Sequence, residues 1–317
     1  MRIAFTSCFR YEAFSEQPSW KKIEEQDPDF LFLLGDSIYM DYGLALFSDE
    51  YVKKPKKYSN KKFEEVMLHK YENQFYKVAD FVQLVNKMRA KNGFFAIWDD
   101  HDFAWDNAKG ALVSIEKKEI STRLFHQFLN CSTNGTKVYY HVDTPMARVI
   151  FLDNRTDAEQ EGVDSKLLSD EQFAFIEEKL RHDREYTLIC GGLTLSRGHE
   201  NWSKYPSQLM RLCRLIENVP KVFFLSGDIH YNDFVPPHIL TFDNHKFVTP
   251  PQLISSGLAI NYVGLSIGLD DRHNWAILDL QKDDARITYY KRDIEQVGLS
   301  EEANAWIDEN YNRSMAV

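Results

Sequence analysis

Short apolar runs, polar turn residues and amphipathic stretches follow one another along most of the chain. Residues 2–7 open it as a strand closing on Thr6-Ser7-Cys8, and a helix follows over Ser19–Gln26 until Asp27-Pro28-Asp29 breaks it. Residues 30–34, Phe-Leu-Phe-Leu-Leu, stop at Gly35-Asp36. An apolar run of this length between turn residues reads as a strand buried on both faces. After a polar loop at roughly 41–60, residues 61–90 place Phe63, Val66, Met67, Phe75, Val78, Phe81, Val82, Val85 and Met88 at helical spacing, as one long helix or two stacked ones. The pattern then predicts a strand over 94–98 that ends in Asp99-Asp100-His101-Asp102, a helix over 111–129, and strands near 137–142 and 149–152. Next come a helix from Ser169 to about Arg181, a strand at 187–190 and a helix over Tyr205–Glu217 with Pro206 in its first turn. A buried strand at 222–225 leads into Gly227-Asp228-Ile229-His230, followed by strands at 238–242, 252–255, 274–280 and 285–291 and a terminal helix near 300–312.

Strand, polar residues and helix in repeated succession make an α/β architecture, read as stacked sheets flanked by helices. The 317 residues suit one large α/β domain or two ordinary ones. No Pro/Gly/Ser-rich linker and no internal repeat divides them, so the expectation is a single domain over 1–317 with a C-terminal helical tail at about 293–317.

Composition narrows the function. With 44% hydrophobic and 27% charged residues the chain is an ordinary globular one, and its 22 Phe and 16 Tyr favour strands and a filled core. A net charge of −10 without a basic stripe argues against a duplex nucleic-acid partner, and Lys53, Lys54, Lys56 and Lys57 read as a solvated loop. Cys8, Cys131, Cys190 and Cys213 show no CxxC pairing, which argues against a structural zinc site. No stretch approaches the roughly 18 apolar residues that span a bilayer. With no leader pattern at the N-terminus, the expected location is the cytoplasm, with free thiols.

Candidate chemistry sits where the strands end. Four of them close on Cys8, on Asp36 with Tyr39, on Asp100 with His101, and on Asp228 with His230. Ligands of α/β folds bind beyond the carboxyl ends of strands, so these segments would deliver their side chains to one place. Carboxylate and imidazole suit first-row metals, a carboxylate such as Asp36 can bridge two cations, and thiolate with phenolate favours a ferric ion over magnesium. Two such metals clamp the attacking and leaving oxygens of an in-line displacement and make a hydroxide available near pH 7.

Cys8, Gly35-Asp36-Ser37-Ile38-Tyr39, Trp98-Asp99-Asp100-His101-Asp102 and Gly227-Asp228-Ile229-His230, with Leu152-Asp153-Asn154-Arg155 and Trp202-Ser203-Lys204-Tyr205-Pro206 between the last two, resemble the alkaline phosphatase D (PhoD-like) family of the calcineurin-like metallophosphoesterase superfamily. The resemblance spans about residues 2–260 and implies a four-layer αββα sandwich of two mixed sheets. It implies a metal-dependent phosphoesterase in which metal-held hydroxide attacks a phosphomonoester or phosphodiester. By the same resemblance Asp36 bridges the metals; Cys8, Tyr39 and His230 bind the first, implied to be iron; Asp100 and Asp228 bind the second. His101 then stands beside the leaving group, oriented by Asp102, whose negative charge would raise its pKa. The middle strand ends in Cys190-Gly191-Gly192-Leu193-Thr194, without the superfamily's usual histidine, so the second metal is expected to be hard, calcium or magnesium, with zinc or manganese as alternatives. Family members often carry an export signal and an extra N-terminal domain; neither is read here, which agrees with the cytoplasmic expectation.

Arg155 is the candidate fork for phosphate oxygens, ahead of Arg197 and Arg10. Trp98, Trp105 and Trp202 read as packing, and Asp106-Asn107 as an Asx-type turn. The expected partner is a small phosphate ester. Two other functional classes compete. A non-catalytic, metal-binding regulatory protein on the same fold would need a broken centre, yet Asp36, Asp100, His101, Asp228 and His230 are all present. A nucleotide-binding module would need GxGxxG or GxxxxGK[ST], and neither occurs.

Overall fold

The computed structural model describes residues 1–41, 54–129, 137–261 and 271–312. Cys131, Lys53, most of the loop at 41–60 and the last residues of the expected tail lie outside them.

Two six-stranded sheets form the body. Strands β1 (Arg2–Thr6), β2 (Phe30–Leu34) and β3 (Phe94–Ile97) run parallel at one side of the first sheet, and Asn274–Leu280 lies antiparallel to β1 and leads on to Ala285–Lys291 and Ile294–Glu295. The second sheet starts with the antiparallel pair β4 (Tyr140–Asp143) and β5 (Ala147–Phe151). It continues in parallel through β6 (Tyr186–Cys190), β7 (Val222–Ser226) and Gln252–Ile254, and Asp233–Val235 closes it antiparallel. Both sheets are therefore mixed.

The apolar runs are continuous because both faces of these strands are covered. Along β5, β6 and β7 the residues Val149, Phe151, Leu188, Cys190, Phe223 and Leu225 join the core between the sheets. Their neighbours Ile150, Ile189, Val222 and Phe224 join a second core beneath helices Asp170–Lys179 and Pro206–Ile216. Aromatic rings join the two sheets: Phe32 meets Phe151 edge-on at 5.3 Å, and within the second sheet Tyr140 stacks on Phe151 at 4.7 Å.

The helices follow their local signals. Ser59 caps Asn60–Lys77 by accepting from Lys62 N at 3.2 Å, and Ser169 caps its helix by accepting from Gln172 N at 3.3 Å. Val78 is extended (φ −83°, ψ 94°), so the 61–90 periodicity belongs to two helices, Asn60–Lys77 and Ala79–Ala90. The sequence pattern missed a one-turn helix, Asp100–Phe103, because it is shorter than any periodicity. At the C-terminal end, helix Val297–Ile307 buries Ala303 and Ile307 and packs against strand 285–291.

One side chain seals an exposed edge. β3 ends its sheet, so half of its backbone groups face away from β2. The buried Tyr140 hydroxyl donates to Ala96 O at 2.8 Å and accepts from Ala96 N at 3.0 Å, standing in for a missing strand. Tyr140→Phe keeps the ring but orphans both backbone groups, and each orphan costs about 1–3 kcal/mol. Urea unfolding should show the variant less stable by about 2–4 kcal/mol with an unchanged denaturant slope; an unchanged midpoint would show that Tyr140 does not seal this edge.

Candidate active site

The carboxyl ends of the parallel strands from both sheets meet in one seam. Backbone bonds knit it: Leu258 N donates to Ser7 O at 3.1 Å and Gly227 N to Gly192 O at 3.0 Å. A Cβ at Gly227 would lie 2.6 Å from Ser7 Cβ and 2.7 Å from Leu34 O, so only glycine lets the end of β7 press against β1 and β2.

The backbone turns sharply at the candidate ligands. Cys8 (φ 58°), Asp36 (φ 54°), Asp228 (φ 69°) and His230 (φ 59°) all adopt the left-handed region. That conformation costs on the order of 1–3 kcal/mol at a non-glycine residue and gathers at functional sites. Here it turns each side chain inward immediately after its strand. Neighbouring groups support the turns: Phe9 N donates to Asp36 O at 3.1 Å and His230 N to Ser256 Oγ at 2.9 Å.

The side chains converge. Cys8 Sγ donates to Asp36 Oδ2 at 3.2 Å, and the Tyr39 hydroxyl lies 3.2 Å from both Asp36 Oδ2 and His230 Nε2. Ligand atoms of Cys8, Asp36 and His230 lie within 4.8 Å of one another; so do those of Asp36, Asp100 and His101, and those of Asp36, Asp99 and Asp228. Asp36 is common to all three groups, as a bridging carboxylate must be. The structure thus brings together Cys8, Asp36, Tyr39, Asp100, His101, Asp228 and His230, the residues expected from the strand ends. Asp228, Ile229 and His230 are half-buried and Asp106 is exposed, so the cluster opens to solvent on that side.

These residues fit cations. Asp36 Oδ1, Asp99 Oδ2 and Asp100 Oδ1 are buried without a hydrogen-bond partner among the described residues. Burial, and then the negative charge of Asp36, pushes the Cys8 thiol well up. Burial also lifts Asp36 well above the carboxylate range, with His101 opposing and Asp100, Asp99 and Asp102 adding to the rise. The cluster is short of positive charge, which metal ions would supply. Cys8, Asp36, Tyr39 and His230 offer sulfur, oxygen and nitrogen to one ion; Asp36, Asp100 and Asp228 offer oxygen to another.

Two expected roles change. Asp102 does not orient His101: its oxygens accept from Asp99 N at 2.6 Å and Ser37 N at 3.1 Å, so it locks the loop that carries the motif. Burial lifts its carboxyl to about 7 despite both bonds, which also makes it a poor anion near neutrality. Asp41 holds the histidine instead. Its Oδ1 lies 2.7 Å from His101 Nδ1, and its Oδ2 accepts from Asp106 N at 2.8 Å. The His101 ring also lies on the Tyr39 ring, with centroids 4.1 Å apart. Burial works against a charged imidazole, but Asp100, Asp41 and Asp36 outweigh it and hold His101 well above its usual range.

Arg155 is the second correction. It is fully buried, bonded to Asp99 through Nε and to Glu200 through a terminal nitrogen at 2.8 Å, with Asp100 3.8 Å away. Its guanidinium serves the carboxylates beneath the cluster and not a substrate. Lys109, itself buried, pairs with Glu200 and extends the chain of alternating charges. Arg197 is exposed and paired with Asp233 at 2.7 Å. Arg10, buried and 5.5 Å from the Tyr39 ring centroid, is the arginine that borders the cluster. Asp41, Asp99, Glu200 and Lys109 escaped the sequence reading. Only Asp99 carried a signal, its place beside Asp100; the other three lie in loops without a motif.

Trp98 and Trp202 are buried in the cores, as expected. Asp106 and Asn107 are the central residues of a turn closed by Ala108 N donating to Trp105 O at 2.9 Å, and their amides hold Asp41 and Asp100 respectively.

Two mixed sheets flanked by helices, with oxygen, nitrogen and sulfur ligands gathered at their strand ends, define a metallophosphoesterase fold. The PhoD-like phosphatase family model matches residues 3–248, and the chain belongs to that family. The solved structure of PhoD is similar with a TM-score of 0.64 at 17% identity, covering 91% of this chain and 65% of that one. A purple acid phosphatase from yellow lupin (Lupinus luteus) seeds is similar with a TM-score of 0.55 at 14% identity, covering 92% of this chain and 51% of that one. The chain therefore spans just under two thirds of the length of PhoD and about half that of the lupin protein. No curated protein sequence matches it.

Removing Arg155 should expose how much the cluster leans on it. Arg155→Met leaves Asp99 and Glu200 buried with a counter-charge lost, and breaking a buried pair in this way costs about 3–5 kcal/mol. Thermal and urea unfolding should show a loss of that size; a loss below about 1 kcal/mol would mean that the carboxylates are not relying on the guanidinium.

Proposed function

We propose that this chain hydrolyses a phosphomonoester or phosphodiester at a two-metal centre. The observation that carries the reading is the shared cluster: Asp36 lies within reach of Cys8 and His230 on one side and of Asp100 and Asp228 on the other, with His101 at its edge. In this reading Cys8, Asp36, Tyr39 and His230 would hold the first ion. Thiolate, phenolate and imidazole suit Fe(III) there. Asp36, Asp100 and Asp228 would hold the second, for which calcium or magnesium suits the oxygen donors better than zinc, with manganese intermediate. Bound metals supply Lewis-acid polarisation of the phosphoryl group and a hydroxide nucleophile at neutral pH.

The chain's own residues do the rest. Asp41 binds His101 Nδ1, and Nε2, with Asp106 Oδ1 3.8 Å away, would donate a proton to the leaving oxygen. Stacking on Tyr39 fixes the plane of the imidazole. Arg10, 5.5 Å from the Tyr39 ring centroid, would take the phosphate-facing role in place of the fully buried Arg155. The turn at Asp106-Asn107 borders the cluster, because its amides hold Asp41 and Asp100.

The substrate is taken to be a small phosphate ester, with no duplex nucleic acid as a partner. Among the described residues no helix is long and apolar enough to cross a membrane. Cys8, Cys190 and Cys213 are free thiols, which suits the reducing cytoplasm.

The deciding experiment measures hydrolysis of p-nitrophenyl phosphate and bis-p-nitrophenyl phosphate by protein of known metal content. His101→Ala should lower kcat about 10²- to 10⁴-fold with its metals retained, and Asp41→Asn should lower it by less. Fully loaded protein that cleaves neither ester would sink the proposal. Elemental analysis tests the ligand assignment separately: Asp36→Asn should deplete both ions, and His230→Ala only the first. Equal depletion of both ions by His230→Ala would refute the division into two sites.

A further inference from the structure

The end of β6 presents no side chain to the cluster. Gly191-Gly192 follows Cys190, and His199, the first histidine after them, is exposed. A Cβ at Gly192 would lie 2.6 Å from Asp99 Oδ1 and 2.7 Å from Asp99 Cβ. The space that a ligand from β6 would use is thus already taken by the Asp99 carboxylate, which arrives from β3 in the other sheet.

That carboxylate is anchored on one side by Arg155, and Asp99 is also the N-cap of helix Asp100–Phe103, its side chain facing the Asp102 amide in a capping box. Arg155 Nε donates to Asp99 Oδ1, while Oδ2 is fully buried with no hydrogen-bond partner among the described residues. An Asp99 oxygen lies within 4.8 Å of ligand atoms of both Asp36 and Asp228. Arg155 is itself fixed by Glu200, and Glu200 by Lys109, so the anchor cannot swing away. A salt bridge alone accounts for Oδ1. Neither the salt bridge nor the capping role accounts for an Asp99 oxygen standing within reach of both the buried Asp36 and the half-buried Asp228, where mutual repulsion should have turned it elsewhere.

We propose that Asp99 is a direct ligand of the second metal ion, filling the place that Gly192 leaves open, and that Arg155 is the residue that positions it. The inference rests on the two-metal reading above and specifies its second site. The donors there would be oxygen only: Asp36, Asp99, Asp100 and Asp228. A set of this kind suits a hard cation of high coordination number and gives zinc no nitrogen or sulfur.

The test titrates Ca²⁺, and separately Tb³⁺, into protein whose first site is loaded and quantified by elemental analysis. Asp99→Asn should weaken Ca²⁺ binding at least about 10-fold and leave the first-site metal content unchanged. Because the single variant strands a buried guanidinium, the double variant Asp99→Asn/Arg155→Met is compared with it, since removing both partners of a buried pair is far less disruptive than removing one. The double variant should show the same loss of Ca²⁺. If it binds Ca²⁺ within two-fold of the unmodified protein, Asp99 serves only as the partner of Arg155 and the inference falls. On the unmodified protein, Tb³⁺ luminescence lifetimes in H₂O and D₂O count bound waters. With four carboxylates in a shell of about eight oxygens, no more than about four waters should remain, and a higher count also overturns the proposal. Unmodified protein that takes up no second cation would instead refute the two-metal reading itself.

Discussion

Repulsion among buried acidic groups is the constraint on which this structure turns. Asp36, Asp99, Asp100 and Asp228 share one seam with Cys8 and Tyr39, and the opposing charges of the protein there are few, chiefly Arg155 and His101. Such a group is stable only where its carboxyls are protonated or where cations hold them, because burial removes the water that would otherwise screen them. The unsatisfied oxygens of Asp36, Asp99 and Asp100 mark where that need is unmet by protein.

The fold sustains the crowding by anchoring several acids in and around it from behind. Asp102 is clamped by two backbone amides, Asp41 by another, and Asp99 by a guanidinium that is in turn tied through Glu200 to Lys109. Strand ends that adopt left-handed backbone at Cys8, Asp36, Asp228 and His230 are held by bonds from neighbouring segments. The energy that keeps these unfavourable conformations comes from elsewhere, mainly from two apolar cores on either side of the second sheet. The site is precise because it is built on strand termini, with loops fastened to it afterwards.

Division of labour between the two sheets follows from this arrangement. The first sheet supplies Cys8, Asp36, Tyr39, Asp100 and His101, and the second supplies Asp228 and His230. In the proposed assignment neither sheet alone would hold a complete set for either ion. Assembly of the centre therefore depends on the packing of the sandwich, through contacts such as Phe32 on Phe151 and the Tyr140 link to Ala96. A metal seated at the seam would in return hold the sheets together.

Much of the fold was legible in the chain. Unbroken apolar runs at 30–34 and 222–225 announced strands covered on both faces, and Ser59, Ser169 and Pro206 marked helix starts, because these signals are local. The convergence of Cys8, Asp36, Asp100, Asp228 and His230 was legible for the same reason: a strand's direction fixes where the next residue points. Contacts between loops were not. Sequence proximity suggested Asp102 as the partner of His101, but a one-turn helix points the two side chains apart, and Asp41 reaches the imidazole from 60 positions away. Proximity to a motif likewise cast Arg155 as a substrate ligand, whereas folding buries it against Asp99 and Glu200, a glutamate that no motif distinguishes. The amino-acid order determined which strands form and which acids stand at their ends. Which charge each acid meets was decided by the packing of two sheets, since a buried ion takes its partner from whatever the fold brings within about 4 Å.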